Sequence, residues 1–299
     1  MVEPLRLRPL PRRPAFDPVA LKIPSTLEWW RATPAGAAWL DRLPALVASL
    51  AERWCLTLGD PYDARIALVL HAERRDGTRA VLKLNLVEPE NEHEALALDY
   101  WPDDASIRVL EHDDDLGALL LERCEPGTTL WELPEEDALL HAARVLARLF
   151  DAGDPGPPFR RLVDEAPRWT ETLATRPFEP ALLDEALAAL RELPASQRGP
   201  VVVSEDFHGG NVLRADRGWL AIDPKPIVAE PEFGVVSLVR DRRPLDGPTV
   251  ARRLDFLSAE LGLDRERMRR WSLAHVLWWG FEGDRVLQEH VEAARLLTK

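Results

Sequence analysis

The run Ser204-Glu205-Asp206-Phe207-His208-Gly209-Gly210-Asn211, followed by Ile222-Asp223-Pro224-Lys225-Pro226, constrains this chain more than any other stretch. An Asp stands five residues before an Asn, and a second Asp follows twelve residues later. Between them lies a hairpin pattern: Val212-Leu213-Arg214, a turn at Asp216-Arg217-Gly218, then Trp219-Leu220-Ala221-Ile222. These residue types suit phosphoryl transfer. One carboxylate accepts a proton from a hydroxyl, while a carboxamide and a second carboxylate offer the hard oxygens that hold Mg²⁺ on nucleotide phosphates. A bare D-x-x-x-x-N is common by chance, but the turn-strand-turn-strand-Asp context is far more specific. Turn chemistry is the competing explanation, because Gly-Gly-Asn and Asp-Pro both favour turns. It accounts for each half separately and not for their joint spacing.

The 299 residues are long for one compact core, so two lobes are expected. The net charge of -13 disfavours nucleic acid or an anionic membrane as partner and is compatible with a cationic small substrate. No apolar run reaches the length of a membrane span, and the basic, proline-dotted start lacks the apolar core of a signal peptide. Cys55 and Cys124 allow at most one bridge. A reduced, cytoplasmic setting is expected, with both thiols buried as small hydrophobes.

Residues 1–23 read as an extended Pro-rich arm. Thr33-Pro34 marks a helix start, and the helical pattern holds Trp39, Leu40 and Leu43, then resumes after Pro44. Strands are expected at 65–71 and 79–86, joined at Arg75-Asp76-Gly77-Thr78. In the second, Ala80, Leu82, Leu84 and Leu86 share one face, and Val81, Lys83 and Asn85 the other. A helix opening at Glu88-Pro89 carries Glu92 and Glu94, and further strands are expected at 107–111 and 117–123. The segment 134–150 is a strongly amphipathic helix. Helical patterns follow at about 164–175 and 179–193, with three more after the motif. The fold class is therefore α+β: a β-rich lobe over 1–123 with a helical N-terminal extension, a hinge at 124–127, and a mainly helical lobe over 128–299.

Lysine occurs only at Lys22, Lys83, Lys225 and Lys299, so the two near motif-like sequence carry weight. Lys83, mid-strand, is the candidate partner of ATP phosphates, oriented by Glu94 on the next helix, with Glu92 as fallback. Asp206 is the candidate general base, and Asn211 and Asp223 the candidate Mg²⁺ ligands. His208 reads as a hydrogen-bonded loop anchor. Lys225 reads equally as a phosphate contact or a surface residue. Trp278-Trp279 is read as core packing before substrate wall. Glu230, Glu232, Glu282 and Asp284 are candidates for binding substrate amines, each set against the simpler reading of a solvated carboxylate.

At these residues the chain resembles the aminoglycoside phosphotransferase family, in the branch of streptomycin 6-phosphotransferases and hydroxyurea phosphotransferases. The similarity covers most of the sequence. Ala38-Trp39-Leu40 and Leu43-Pro44-Ala45-Leu46 are similar to that branch's N-terminal extension. Residues 76–84 resemble its nucleotide-lysine strand, 92–98 its helix with the paired Glu, and 119–127 its hinge. Gly210-Asn211-Val212-Leu213 and residues 219–226 resemble its catalytic and metal segments. The resemblance implies a two-lobed, protein-kinase-like fold, ATP and Mg²⁺ as cofactors, and O-phosphorylation of a small hydroxyl compound. Three positions depart from the family pattern. Ser204-Glu205-Asp206 stands where His-Gly-Asp is usual, which sets a second carboxylate beside the base. Gly59 to Arg65 holds one glycine where a pair is usual. Gly234 replaces a common acidic residue. The retained set points to a working kinase; the altered loops leave a pseudokinase-like binding protein as the alternative.

Overall fold

The computed structural model describes residues 21–154, 156, 158–241 and 245–298. The arm expected over 1–23 therefore lies outside the described residues as far as residue 20. The chain divides into two compact units, one ending at Leu86 and the other starting at Val87.

The first unit begins with a 3-10 turn, Ser25–Ala32. It is tied down by side chains donating to backbone carbonyls: Thr26 Oγ1 to Ala64 (2.7 Å), Trp29 Nε1 to Arg65 (2.8 Å) and Trp30 Nε1 to Ile66 (2.9 Å). Helix α1 (Pro34–Arg53) starts as the sequence indicates, with Thr33 Oγ1 accepting from Gly36 N at 3.1 Å and Pro34 in the first turn. The break expected at Pro44 does not occur. Proline in a helix interior costs about 3 kcal/mol through a lost hydrogen bond and ring crowding. The buried stripe Leu40, Leu43, Val47 and Leu50 continues past it on one face. Each such side chain contributes about 1.5–3 kcal/mol on burial, and together they outweigh the proline.

Strands β1 (Leu56–Pro61), β2 (Leu68–Arg74) and β3 (Arg79–Leu84) form an antiparallel ladder. β1 lies where a loop was expected. It is half-exposed, and its register shifts between Leu58 and Pro61, which is where a strand tolerates proline. β2 starts three residues later than expected because the carbonyls of Ala64, Arg65 and Ile66 are already taken by Thr26, Trp29 and Trp30. At the β2–β3 turn Asp76 Oδ1 accepts from Thr78 N (2.9 Å), and Gly77 adopts φ +87°.

The second unit opens with a turn rather than a helix. Asn91 Oδ1 accepts from Glu88 N (3.0 Å), and the amides of Asn91 and Glu92 return to the Glu88 carbonyl (3.0 Å each). This local side-chain bond competes with helix, so α2 runs only over Glu94–Tyr100 and Glu92 stays outside it. β4 (Val109–Asp113) and β5 (Ala118–Glu122) form a hairpin. Helices α3 (Glu135–Phe150), α4 (Leu162–Leu173) and α5 (Pro180–Glu192) follow. Then come β6 (Val201–Ser204), β7 (Val212–Ala215), β8 (Gly218–Ala221) and β9 (Pro226–Ala229), with β6 paired to β9 and β7 to β8. The short α6 (Val236–Val239) leads to α7 (Gly247–Leu261) and α8 (Arg265–Trp278). A small hairpin, β10 (Phe281–Glu282) and β11 (Arg285–Val286), precedes α9 (Gln288–Leu297).

Cys55 is exposed, against the expectation of a buried thiol. It follows the end of α1 at φ +56°, a turn position outside the apolar stripe. Cys124 is half-buried, and that burial pushes its thiol up to about 12. Among the described residues no helix is long and apolar enough to cross a membrane.

Gly36 marks a close approach, since a Cβ there would sit 2.2 Å from the Trp30 carbonyl oxygen. Gly36→Ala is expected to destabilise the protein by about 1–3 kcal/mol, the usual scale of overpacking against backbone. Guanidinium unfolding measures this; an unshifted midpoint would contradict the contact.

Candidate active site

Residues 205–211 form the loop between β6 and β7, and residues 222–225 form the loop between β8 and β9. Backbone bonds hold the two together: Glu205 N donates to the Lys225 carbonyl (2.9 Å) and Ile222 N to the Asn211 carbonyl (2.9 Å). Ser204 Oγ sits between them, accepting from Asp206 N (3.3 Å) and Lys225 N (3.2 Å). The β7–β8 hairpin is itself flanked. Ile107 N donates to the Ala221 carbonyl (3.1 Å), and Arg214 N to the Thr128 carbonyl (2.8 Å).

This frame brings Asp206, Asn211 and Asp223 onto adjoining loops of one unit. Asn211 Nδ2 donates to the Asp206 carbonyl at 3.0 Å, which fixes the carboxamide through its nitrogen and leaves the oxygen as its acceptor atom. Asp206 and Asn211 are half-buried, and Asp223 is exposed although Ala221 and Pro224 beside it are buried. Asp223 has φ +51°, in the left-handed region. That conformation costs on the order of 1 kcal/mol for a non-glycine residue and is commonest where function demands it.

Glu205, the carboxylate next to Asp206, turns inward. Its side chain is 2% exposed and forms an ion pair with Arg160 from the segment before α4. The Glu205 carbonyl accepts from Ser237 Oγ of α6 at 2.8 Å. Burial pushes the Glu205 carboxyl above the usual range, and the Arg160 charge and hydrogen bond oppose the rise. The negative charge that the sequence sets beside Asp206 is thus compensated inside the protein.

The glycine pair has a different cause from the one turn chemistry suggests. Trp131 lies over it: a Cβ on Gly209 would come within 2.8 Å of the indole, and one on Gly210 within 2.6 Å. The ring stacks on His208, with centroids 5.0 Å apart and planes nearly parallel. Asp241 clamps both partners, accepting from Trp131 Nε1 (2.8 Å) and Gly209 N (2.8 Å). The buried Arg253 of α7 in turn donates to the Asp241 carbonyl and pairs with Glu135 at 3.2 Å. His208 is a loop anchor as read: its Nδ1 accepts from Gly210 N (3.0 Å), which leaves the proton on Nε2, 3.8 Å from Asp206 Oδ1.

Lys83 belongs to the first unit and is 5% exposed in β3, on the face opposite Leu82 and Leu84. Glu94 belongs to the second unit. It is 1% exposed at the first position of α2, whereas Glu92 is exposed, so burial separates the two candidates. Lys225 is 22% exposed and paired with Glu90; its Nζ stands 4.6 Å from the centre of the Trp279 ring. Burial disfavours its charge. Glu90 beside it, with Asp206 and Glu205 beyond, outweighs burial and holds the ammonium above its ordinary value.

Glu230 is neither a substrate ligand nor a solvated carboxylate. It is 0% exposed and receives Arg267 (2.6 Å), Trp271 Nε1 (2.5 Å) and Arg198 N (3.2 Å). Glu232 is buried and accepts from Asp264 N (3.3 Å). Glu282 and Asp284 sit at the surface, in ion pairs with Arg285 and Arg176.

Among the described residues no group of three or more His, Cys, Asp or Glu side chains is arranged to hold a metal ion. A carboxylate and a carboxamide oxygen suit Mg²⁺, which takes one or two protein oxygens and completes its octahedron with water and phosphate.

Residues 53–282 match the model of the aminoglycoside/hydroxyurea antibiotic resistance kinases, and the chain belongs to that family. It is 36% identical over 259 residues to a streptomycin 6-kinase from Streptomyces glaucescens, covering 81% of this chain and 83% of that one. It is 38% identical over 271 residues to a hydroxyurea phosphotransferase from Kitasatospora aureofaciens, covering 85% and 78%. Among solved structures, an aminoglycoside phosphotransferase in ternary complex with ADP and hygromycin B superposes with a TM-score of 0.54 at 16% identity, over 83% of this chain and 94% of that one. The fold is the expected one, α+β and protein-kinase-like.

Arg160→Met should cost about 3–5 kcal/mol by leaving Glu205 buried and unpaired, and Arg160→Met with Glu205→Met should recover most of that loss. Thermal unfolding of both variants checks this; equal losses in the two would contradict a buried, compensated pair.

Proposed function

We propose that this chain transfers the γ-phosphoryl group of ATP to a hydroxyl of a small polar acceptor. Streptomycin and hydroxyurea, named for its relatives, are the two acceptor classes to try first. The observation that carries the reading is the bond from Asn211 Nδ2 to the Asp206 carbonyl, which presents a base and a metal-binding oxygen from one braced loop.

In this reading Asp206 accepts the acceptor O–H proton, and the acceptor oxygen bonds to the γ-phosphorus. The bond from that phosphorus to the β–γ bridging oxygen breaks, releasing ADP. Asn211 and Asp223 would hold Mg²⁺, which would supply neutralisation of charge on the phosphates. Lys83 is the residue proposed to pair with the α- and β-phosphates, and Glu94 the carboxylate proposed to orient it. The loop bonds around Ser204 hold Asp206 in place before substrate arrives, the positioning on which phosphoryl transfer mostly relies. The lobe boundary is assigned to the hinge at 124–127 and the setting to the cytoplasm, in keeping with two free thiols. The inward turn of Glu205 weakens one of the two motives for the pseudokinase-like alternative, the other being the glycine-poor loop at 59–65.

Asp206→Ala is expected to lower kcat by about 10²–10⁴-fold, the range for loss of a positioned general base, with ATP affinity little changed. Coupled ADP-release kinetics with either acceptor measures it; turnover at the wild-type rate would remove Asp206 from the role.

A further inference from the structure

Lys225 is tied at both ends to site residues. Its backbone is fixed, with its amide on Ser204 Oγ and its carbonyl accepting from Glu205 N, and it stands two residues past Asp223. Its ammonium is paired with Glu90 and sits over Trp279, a ring that Arg240 also covers at 5.2 Å. Glu90 lies inside the tight turn that starts α2. Asn91 Oδ1 accepts from Glu88 N (3.0 Å), the amides of Asn91 and Glu92 close on the Glu88 carbonyl, and Glu94 N donates to the Asn91 carbonyl (3.1 Å). Glu90 thus sits within a short, hydrogen-bonded turn that ends on Glu94, four residues on.

The surroundings show what the pair does. Two carboxylates, Glu88 and Glu90, bear on one ammonium here. Burial raises the Glu88 carboxyl, the Glu90 charge raises it further and Lys225 draws it down. A lysine serving only solubility would extend into water, since holding a long side chain in one geometry costs entropy that a surface ion pair rarely returns. This one is mostly enclosed and aromatic-backed, and it joins the loop carrying Asp223 to the turn that leads into α2, whose first residue is Glu94.

We propose that the Lys225–Glu90 pair is a positioning device: it sets the start of α2, and with it Glu94, relative to the loop carrying Asp223. The inference rests on the proposed phosphoryl transfer for its activity readout. It deepens that reading by adding two positioning residues.

The experiment compares the wild-type chain with Glu90→Gln, Lys225→Met, the two combined, and the charge-swapped Glu90→Lys/Lys225→Glu. The readouts are kcat, KM for ATP and for the acceptor, and calorimetric affinity for a non-hydrolysable ATP analogue with Mg²⁺. Each single variant is expected to lose about tenfold in kcat/KM for ATP, with the neutral double variant no worse than the poorer single, as coupled neighbours behave. The swapped pair should regain part of the loss, and KM for the acceptor should stay unchanged. Additive losses, single variants at the wild-type level, or a rise in acceptor KM alone would overturn the proposal. A wild-type chain inert toward both acceptors would count against the proposed reaction. The same coupling, or its absence, in the analogue affinity would then decide this inference.

Discussion

The buried pair of Glu205 with Arg160 is the interaction on which the rest of the site depends. In the proposed reaction a carboxylate next to Asp206 would face either the incoming phosphate, where it would repel, or the interior, where it is costly unless paired. Arg160 resolves the choice toward the interior. With Glu205 anchored there, its carbonyl reaches Ser237, its amide reaches Lys225, and the next residue, Asp206, is left at the loop surface. Ser204 serves the same end, since its hydroxyl takes the amides of both Asp206 and Lys225. Ser204 and Glu205 thus frame the loop through bonds to Lys225, Arg160 and Ser237.

A second layer of constraint comes from Trp131. A large ring against Gly209 and Gly210 admits no side chain at either position, and its stack on His208 fixes the imidazole. Asp241 and Arg253 carry that arrangement back to α7 and α3. The site is assembled from segments distant in sequence, each braced by polar groups that are themselves hydrogen-bonded, and it is through such braces that a catalytic loop holds its geometry.

Much of this was legible in the sequence, because the informative signals are local. The Asp206–Asn211–Asp223 spacing with its intervening hairpin, the Thr33 cap, the Asp76-Gly77 turn and the apolar face of α3 all rest on neighbours within a few residues. What was missed lies in pairings across the chain. Nothing near Glu205 announces Arg160, 45 residues away, and nothing near Gly210 announces Trp131. Glu230 looked like any acidic surface residue until Arg267 and Trp271 closed on it. Pro44 misled in the other direction, since a local rule for breaking helices yielded to a buried stripe that spans it. The glycine pair reads as turn chemistry in the sequence, yet neither residue has a positive φ, and it is the Trp131 ring that excludes a side chain there.

The most direct test of the account is phosphorus NMR of the purified chain with ATP, Mg²⁺ and either streptomycin or hydroxyurea, alongside Asp223→Ala. The account predicts a new phosphoester resonance that grows in step with ADP, depends on the acceptor and is absent in the variant. ADP formed without a phosphorylated acceptor, or an equal yield from Asp223→Ala, would contradict it.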